Sequence, residues 1–134
     1  MSLRDIRFLV IEDHPFQRNM LRQMLIGMGA ETVHGAEDGK EALRLLRDPA
    51  VLVDIIISDV AMPEMDGIEL LAHLHAVREG VSLIFLSASQ SNLDAAVAIA
   101  EGGGVQVLGA IAKPASAENI APLVALHLAR RQGL

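Results

Sequence analysis

One stretch of this chain constrains its fold more than any other, because an apolar run leads directly to an acidic strand end. The residues Ile55-Ile56-Ile57 precede Asp59, and a Met62-Pro63 turn then leads to Asp66-Gly67 at the start of a helix. An uninterrupted apolar run predicts a strand buried on both faces, which is typical of a central parallel strand. Asp59 is therefore predicted at the carboxyl end of that strand, the edge of an open α/β sheet where ligands bind.

The length and the apolar content predict one domain. With 134 residues, of which 51% are hydrophobic, the chain can bury most of the surface that its unfolded form exposes. Its aromatic residues are three phenylalanines, so the core must consist mainly of aliphatic side chains and methionine. We predict that residues 1–134 form a single α/β domain.

Charge and cysteine content exclude several classes of function. The chain has no cysteine, which excludes disulfides and thiolate metal sites. Its formal net charge is −6 and it has no basic stripe with interleaved aromatic residues, which argues against direct nucleic-acid binding. It also lacks a signal-peptide core and an apolar run of about 18 residues that could span a membrane. We therefore expect a soluble, cytoplasmic domain.

Five apolar runs alternate with five helical patterns along the chain. The short connections predict right-handed crossovers, a parallel sheet and helices on both of its faces. The predicted fold is the flavodoxin-like (βα)5 arrangement, a doubly wound parallel five-stranded sheet with strand order 2-1-3-4-5. The predicted strands span residues 8–11, 31–36, 54–59, 81–86 and 105–111.

The first predicted helix carries a row of large apolar side chains at every fourth residue. Residues four apart lie on the same face of a helix, so this row is predicted to pack in the core. The row consists of Phe16, Met20, Met24 and Met28, with Leu21 and Leu25 beside it.

Polar residues interrupt the strand patterns at the same end of each strand. In the predicted strand order, the first and third strands are neighbours where the winding direction reverses, which brings Asp13 beside Asp59. The crevice of the sheet is predicted to open there. The polar residues at these strand ends are Glu12, Asp13, Asp59, Ser87 and Lys113.

Carboxylates that converge in one crevice repel each other, by about 4 kcal/mol for two unit charges about 4 Å apart at an effective dielectric of about 20. Lys113 supplies one positive charge. An all-oxygen site without histidine or cysteine at ligand spacing also suits a hard divalent cation, Mg²⁺ first and Mn²⁺ second. Such a cation, held by Asp13 and Asp59, would attract a phosphoryl group, whose oxygens Ser87 and Lys113 could bind. These residues predict an aspartyl-phosphate site with Asp59 as the nucleophile.

The motifs resemble the receiver domain of two-component response regulators in type, order and spacing, over essentially the whole chain. The resemblance implies that Asp59 is the phosphoacceptor, that Ser87 is the switch hydroxyl and that Lys113 binds the phosphoryl group. It also implies a cis peptide bond before Pro114. The matching motifs are Glu12-Asp13, Asp59 with Met62-Pro63-Glu64-Met65-Asp66-Gly67, Ser87-Ala88 and Lys113-Pro114.

The same resemblance implies a metal site and a mode of signalling. Asp13 and Asp59 would bind Mg²⁺ together with the backbone carbonyl of Ala61, and Glu12 would act through a bound water. A sensor histidine kinase or a histidine phosphotransfer protein would supply the phosphoryl group. Phosphorylation would then bias the face formed by the fourth helix, fifth strand and fifth helix, which controls an output domain, a partner or homodimerisation. Such a domain assists its own phosphorylation and dephosphorylation and is not a turnover enzyme.

Two local features refine this resemblance. The family often has an aromatic residue three positions before the lysine, but Ala110 occupies that position here, so a rotating aromatic ring is not expected to carry the signal. The segments His14-Pro15-Phe16-Gln17-Arg18 and Val107-Leu108-Gly109-Ala110 resemble receivers that precede EAL-type cyclic-di-GMP phosphodiesterase domains. This second likeness predicts that the chain is a fragment of a longer regulator.

Two other functions fit parts of the pattern. A phosphohydrolase of the haloacid dehalogenase type forms an aspartyl phosphate, but it needs a second acid two residues after the nucleophile, where this chain has Ala61. A receiver-like scaffold that does not use phosphorylation would keep the fold, although the complete set of acidic, hydroxyl and lysine residues is present. The histidines indicate no alternative metal site, and His34 and His127 are predicted on the surface.

Overall fold

The computed structural model describes residues 3–59, 80–87, 94 and 106–131. The predicted metal ligand Ala61, the Met62-Pro63 turn, the helix start at Asp66-Gly67, the third helix and most of the fourth lie outside these residues. No helix in the described part of the chain is long and apolar enough to cross a membrane. The described elements are a 3-10 turn at Leu3–Asp5, β1 at Arg7–Ile11, α1 at Pro15–Gly27, β2 at Thr32–Ala36, α2 at Gly39–Leu46, β3 at Ile55–Asp59, β4 at Ser82–Ser87, β5 at Gln106–Ala112 and α3 at Ala117–Arg131. The helix named α3 is the fifth helix predicted from the sequence.

The five strands form one parallel sheet in the order β2-β1-β3-β4-β5. This arrangement confirms the predicted flavodoxin-like fold and its strand order. The winding direction reverses between β1 and β3, which are neighbours in the sheet although β2 lies between them in sequence. Ile11 pairs with Ser58, so these two strands end at the same edge, and Glu12 and Asp13 follow there directly.

The sheet is covered by apolar packing on both faces. In β1, Leu9 and Ile11 belong to the core layer that contains α2, whereas Phe8 and Val10 belong to the layer that contains α1 and α3. All five residues of β3 are buried, which confirms that the isoleucine run forms a central strand. Asp59 therefore stands at the end of a strand that is packed from both sides.

The predicted packing of α1 is wrong in part. Phe16 is 68% exposed and Met20 is 56% exposed, whereas Leu21 and Leu25 are buried against the sheet. Met24 and Met28 are half-buried at the edge of the same core layer. The helix docks on its leucine row, and the neighbouring row is turned toward solvent at Phe16 and Met20.

The orientation of α1 leads to a prediction about the free energy of unfolding. We expect Leu21→Ala to lower the free energy of unfolding by about 2 kcal/mol or more, because it removes buried methyl groups and leaves a cavity. Met20→Ala should change it by less than about 1 kcal/mol, because the side chain is already largely hydrated. Urea unfolding followed by circular dichroism measures both. Equal losses for the two variants would contradict the observed docking of the helix.

The prediction that His127 lies on the surface is also wrong. This α3 side chain is only 2% exposed, and its Nδ1 atom lies 2.9 Å from Oγ of the buried Ser82 at the start of β4. The hydrogen bond joins α3 to the sheet at the edge opposite to Asp59 and satisfies polar atoms that the core would otherwise isolate. His34 on β2 is half-buried rather than exposed.

Candidate functional site

Three carboxylates converge at the crevice between the ends of β1 and β3. Glu12, Asp13 and Asp59 each place one carboxylate oxygen within 4.8 Å of the other two. Glu12 is 1% exposed and Asp59 is 7% exposed, whereas Asp13 faces solvent. The predicted acidic cluster therefore has two shielded members and one accessible member.

A single lysine contacts both shielded carboxylates. The Nζ atom of Lys113, which follows β5, lies 2.5 Å from Oδ2 of Asp59 and 3.2 Å from Oε2 of Glu12. Gln17 of α1 places its Oε1 atom 3.5 Å from the same ammonium group. Two charge-assisted contacts thus hold the ammonium between the first and third strands.

The burial and charge of the site shift two pKa values. Burial raises the pKa of Glu12, and the hydrogen bond with Asp13 and the charge of Asp59 raise it further, against smaller opposing effects of Lys113 and the His14 backbone. Burial lowers the pKa of Lys113, but the hydrogen bonds and charges of Asp59 and Glu12 outweigh this and raise it overall. Lys113 therefore remains protonated at neutral pH.

Ser87 and Lys113 are linked through the backbone. The Lys113 amide donates a hydrogen bond of 3.0 Å to the carbonyl of Ser87, the last residue of β4. Asp59 pairs with Leu86 in the sheet, so Ser87 lies one residue beyond it at the same edge. The Lys113–Pro114 peptide bond is cis, as predicted. The structure thus brings Ser87 to the edge where the acidic cluster lies.

The donor set fits a hard divalent cation. The cluster offers carboxylate oxygens from three residues within 4.8 Å, and this is the ligand chemistry that Mg²⁺ and Mn²⁺ prefer. The accessible carboxylate of Asp13 provides a direction from which a hydrated ion can enter. The remaining member of the predicted ligand set, Ala61, lies outside the described residues.

Sequence analysis did not identify two features that border this site. The Nη1 atom of Arg18 donates a hydrogen bond of 2.8 Å to the backbone carbonyl of Glu12. An apolar cavity of about 390 Å³ also opens beside Lys113, and its walls include the exposed side chains of Phe16 and Met20. The apolar row at every fourth residue of α1 supplies two walls of this cavity, although its periodicity alone predicts core packing.

Residues 8–125 match the response regulator receiver domain. The chain belongs to this family. Receiver domains are signalling switches rather than turnover enzymes.

Relatives of this receiver domain agree with that assignment. The cyclic di-GMP phosphodiesterase RocR of Pseudomonas aeruginosa is 36% identical over 133 residues, which cover 98% of this chain and 34% of RocR. The chain therefore spans about a third of the length of this relative. This match confirms the second predicted resemblance, which is to receivers of cyclic-di-GMP phosphodiesterases.

Solved structures confirm the fold. A response regulator receiver domain protein from Clostridium thermocellum superposes with a TM-score of 0.81 at 22% identity, covering 95% of this chain and 97% of that protein. The chemotaxis protein CheY4 of Vibrio cholerae superposes with a TM-score of 0.75 at 25% identity, covering 90% of this chain and 97% of CheY4.

Proposed function

We propose that this receiver domain accepts a phosphoryl group on Asp59 and uses the added charge as a switch. The observation that carries the proposal is the position of Lys113, whose ammonium contacts Asp59 and Glu12 inside a cluster of three carboxylates. This arrangement keeps a nucleophilic carboxylate beside a fixed positive charge. Family membership supports the same role for the site.

The reaction that fits this geometry is transfer from a phosphohistidine. A carboxylate oxygen of Asp59 forms a bond to phosphorus while the bond between phosphorus and the donor nitrogen breaks, and the leaving imidazole keeps the electron pair. Lys113 would stabilise the negative charge on one phosphoryl oxygen, and the hydroxyl of Ser87 would donate to another. The buried surroundings strengthen both interactions because they limit screening by water.

Divalent metal is part of the proposed site. Asp13 and Asp59 would hold Mg²⁺ with the backbone carbonyl of Ala61, and Glu12 would act through a bound water. The ion would supply charge neutralisation for the phosphoryl oxygens during transfer. The high negative charge of the cluster and the accessible position of Asp13 support this assignment.

Phosphorylation would then shift the switch face. The new charge of about −2 would draw Ser87 and Lys113 inward. Both residues lie at the ends of strands β4 and β5, so their movement reaches β5 and α3 together with the predicted fourth helix. The free energy that couples such a modification to the shift of a two-state element is typically about 1 to 3 kcal/mol. Because Ala110 replaces the usual aromatic residue, the signal would travel as a shift of whole elements.

The proposed partners follow from the family and the relatives. A sensor histidine kinase or a histidine phosphotransfer protein would donate the phosphoryl group in the cytoplasm. The likeness to RocR supports a cyclic-di-GMP phosphodiesterase as the output domain of the whole protein, of the EAL type that the sequence resemblance implies. Homodimerisation through the switch face is the other proposed output.

The direct test is the mass of the intact protein after incubation with acetyl phosphate and Mg²⁺. We expect the gain of one phosphoryl group, and we expect a chelator to abolish it because the ion neutralises the charge of the incoming group. Mn²⁺ should restore the reaction after chelation. Phosphorylation that proceeds unchanged in chelator would contradict the metal site. Absence of any gain, with acetyl phosphate or a phosphohistidine donor, would instead favour a scaffold that does not use phosphorylation.

A further inference from the structure

We propose that Arg18 is a positioning residue for the acidic cluster, which holds the end of β1 so that the Asp13 carboxylate meets that of Asp59. The inference rests on the proposed function, because it assigns a role toward the Mg²⁺ that the cluster would bind. Arg18 lies in the first turn of α1. The sequence places it in the segment that resembles receivers of cyclic-di-GMP phosphodiesterases and assigns it no role at the site.

The first observation is how the backbone of Glu12 is fixed where β1 ends. Its amide donates a hydrogen bond of 3.0 Å to the carbonyl of Ala36 at the end of β2. Its carbonyl accepts a hydrogen bond of 2.8 Å from Nη1 of Arg18. The guanidinium thus takes the place of a sheet partner at the last peptide group before Asp13, and a charged donor makes this bond stronger than a neutral one.

The second observation is the space that β2 leaves for the arginine. A Cβ atom added to Gly35 would lie 3.4 Å from Cδ and 3.7 Å from Cγ of Arg18. The backbone of Gly35 does not need glycine, because its φ angle is not positive. Gly35 therefore lies at van der Waals distance from the stem of Arg18, and a β-branched side chain there would compete with the stem for its path to the carbonyl of Glu12.

The peptide group that Arg18 holds joins Glu12 to Asp13. Glu12 is also held through its buried side chain by Lys113. Asp13 is exposed, so the direction of its carboxylate is set by this peptide and by its hydrogen bond with Glu12. Without the arginine the peptide plane can rotate, and the Asp13 carboxylate can turn away from Asp59. Groups that orient metal ligands typically change metal affinity by about 10- to 100-fold when they are removed.

The test measures Mg²⁺ binding to the unphosphorylated protein by isothermal titration calorimetry. We expect Arg18→Met, which keeps an apolar stem and removes the donors, to weaken Mg²⁺ binding about tenfold or more. Arg18→Lys keeps a charged donor and should recover part of the affinity. The matched control is Arg22→Met, which removes the same charge one helical turn further along α1 and should stay within about twofold of the wild type.

Gly35→Val provides an independent route to the same effect. Valine favours strands, so the variant should keep its unfolding free energy, but its methyl groups should displace the Arg18 stem and weaken Mg²⁺ binding about as much as Arg18→Met does. In the Arg18→Met background it should have no further effect, because both changes break the same contact.

Two results would overturn the inference. One is an Arg18→Met protein that binds Mg²⁺ as tightly as the wild type, even if its stability is lower. The other is additivity of the Arg18 and Gly35 variants. A wild-type protein that binds no Mg²⁺ would instead overturn the metal site of the proposed function, so the two failures are separate.

Discussion

Asp59→Asn is expected to reduce phosphoryl incorporation from acetyl phosphate to background. An amide oxygen is a poor nucleophile, and the substitution removes the negative charge that Lys113 contacts at 2.5 Å while it keeps the size of the side chain. The change keeps the side-chain size and removes one of three mutually repelling carboxylates, so the fold should remain intact. Intact-protein mass spectrometry in the presence of Mg²⁺ gives the readout, and circular dichroism checks the fold.

The matched control for this variant is Asp48→Asn. Asp48 is an exposed aspartate in the connection after α2, and its substitution makes the same chemical change away from the crevice. It should gain one phosphoryl group as readily as the wild type. If Asp59→Asn still gained a phosphoryl group, the acceptor would be another residue, and peptide mapping would show whether it is Asp13.

Lys113→Met is expected to lower the free energy of unfolding by about 3 kcal/mol in the absence of Mg²⁺. The ammonium contacts two carboxylates whose side chains are only 2% and 9% exposed, and breaking such a pair leaves buried charges without compensation. The pKa of Glu12, already raised by burial, should rise further. Urea unfolding measured by circular dichroism gives the free energy.

Added Mg²⁺ should recover much of this loss, because a cation in the cluster replaces the missing positive charge and binds only the folded state. Phosphorylation of the variant should also be impaired, since Lys113 is the proposed partner of the transferred group. The control is Lys40→Met on α2, where the same change at an exposed site should alter stability by less than about 0.5 kcal/mol. A Lys113→Met protein as stable as the wild type would show that the ammonium does not balance the cluster.

The likeness to RocR gives the site a context without changing its chemistry. This chain aligns with about a third of the length of that relative. The proposed switch uses β5, which ends directly before Lys113, and α3, which begins at Ala117 shortly after it. In the proposed switch, a shift of these elements, rather than of an aromatic side chain at position 110, would carry the signal.

The sequence by itself determined the order of the strands and the location of the acidic cluster. Apolar runs that alternate with helical patterns permit few arrangements, and parallel strands place their carboxyl ends at one edge. The polar residues at those ends, from Glu12 to Lys113, therefore had to meet. The convergence of these residues follows from the strand order, which can be inferred from local apolar and helical patterns.

Only the tertiary structure decided which face of α1 packs inward. The row that contains Met20 and the row that contains Leu21 are both apolar and lie roughly 100° apart around the helix, so either could face the sheet. The angle at which α1 docks buries Leu21 and Leu25 and exposes Phe16 and Met20. Periodicity identifies an apolar face but does not choose between two adjacent ones.

The contacts of Arg18 and His127 were likewise decided by the tertiary structure. Arg18 reaches the carbonyl of Glu12 with its stem against Gly35 of β2, and the buried His127 of α3 contacts Ser82 of β4. Both contacts join residues from elements that are adjacent in space. The partner residues Gly35 and Ser82 belong to no functional motif. A polar side chain in a helix is assigned to the surface by pattern alone, whereas its burial depends on whether a distant residue can satisfy its hydrogen bonds.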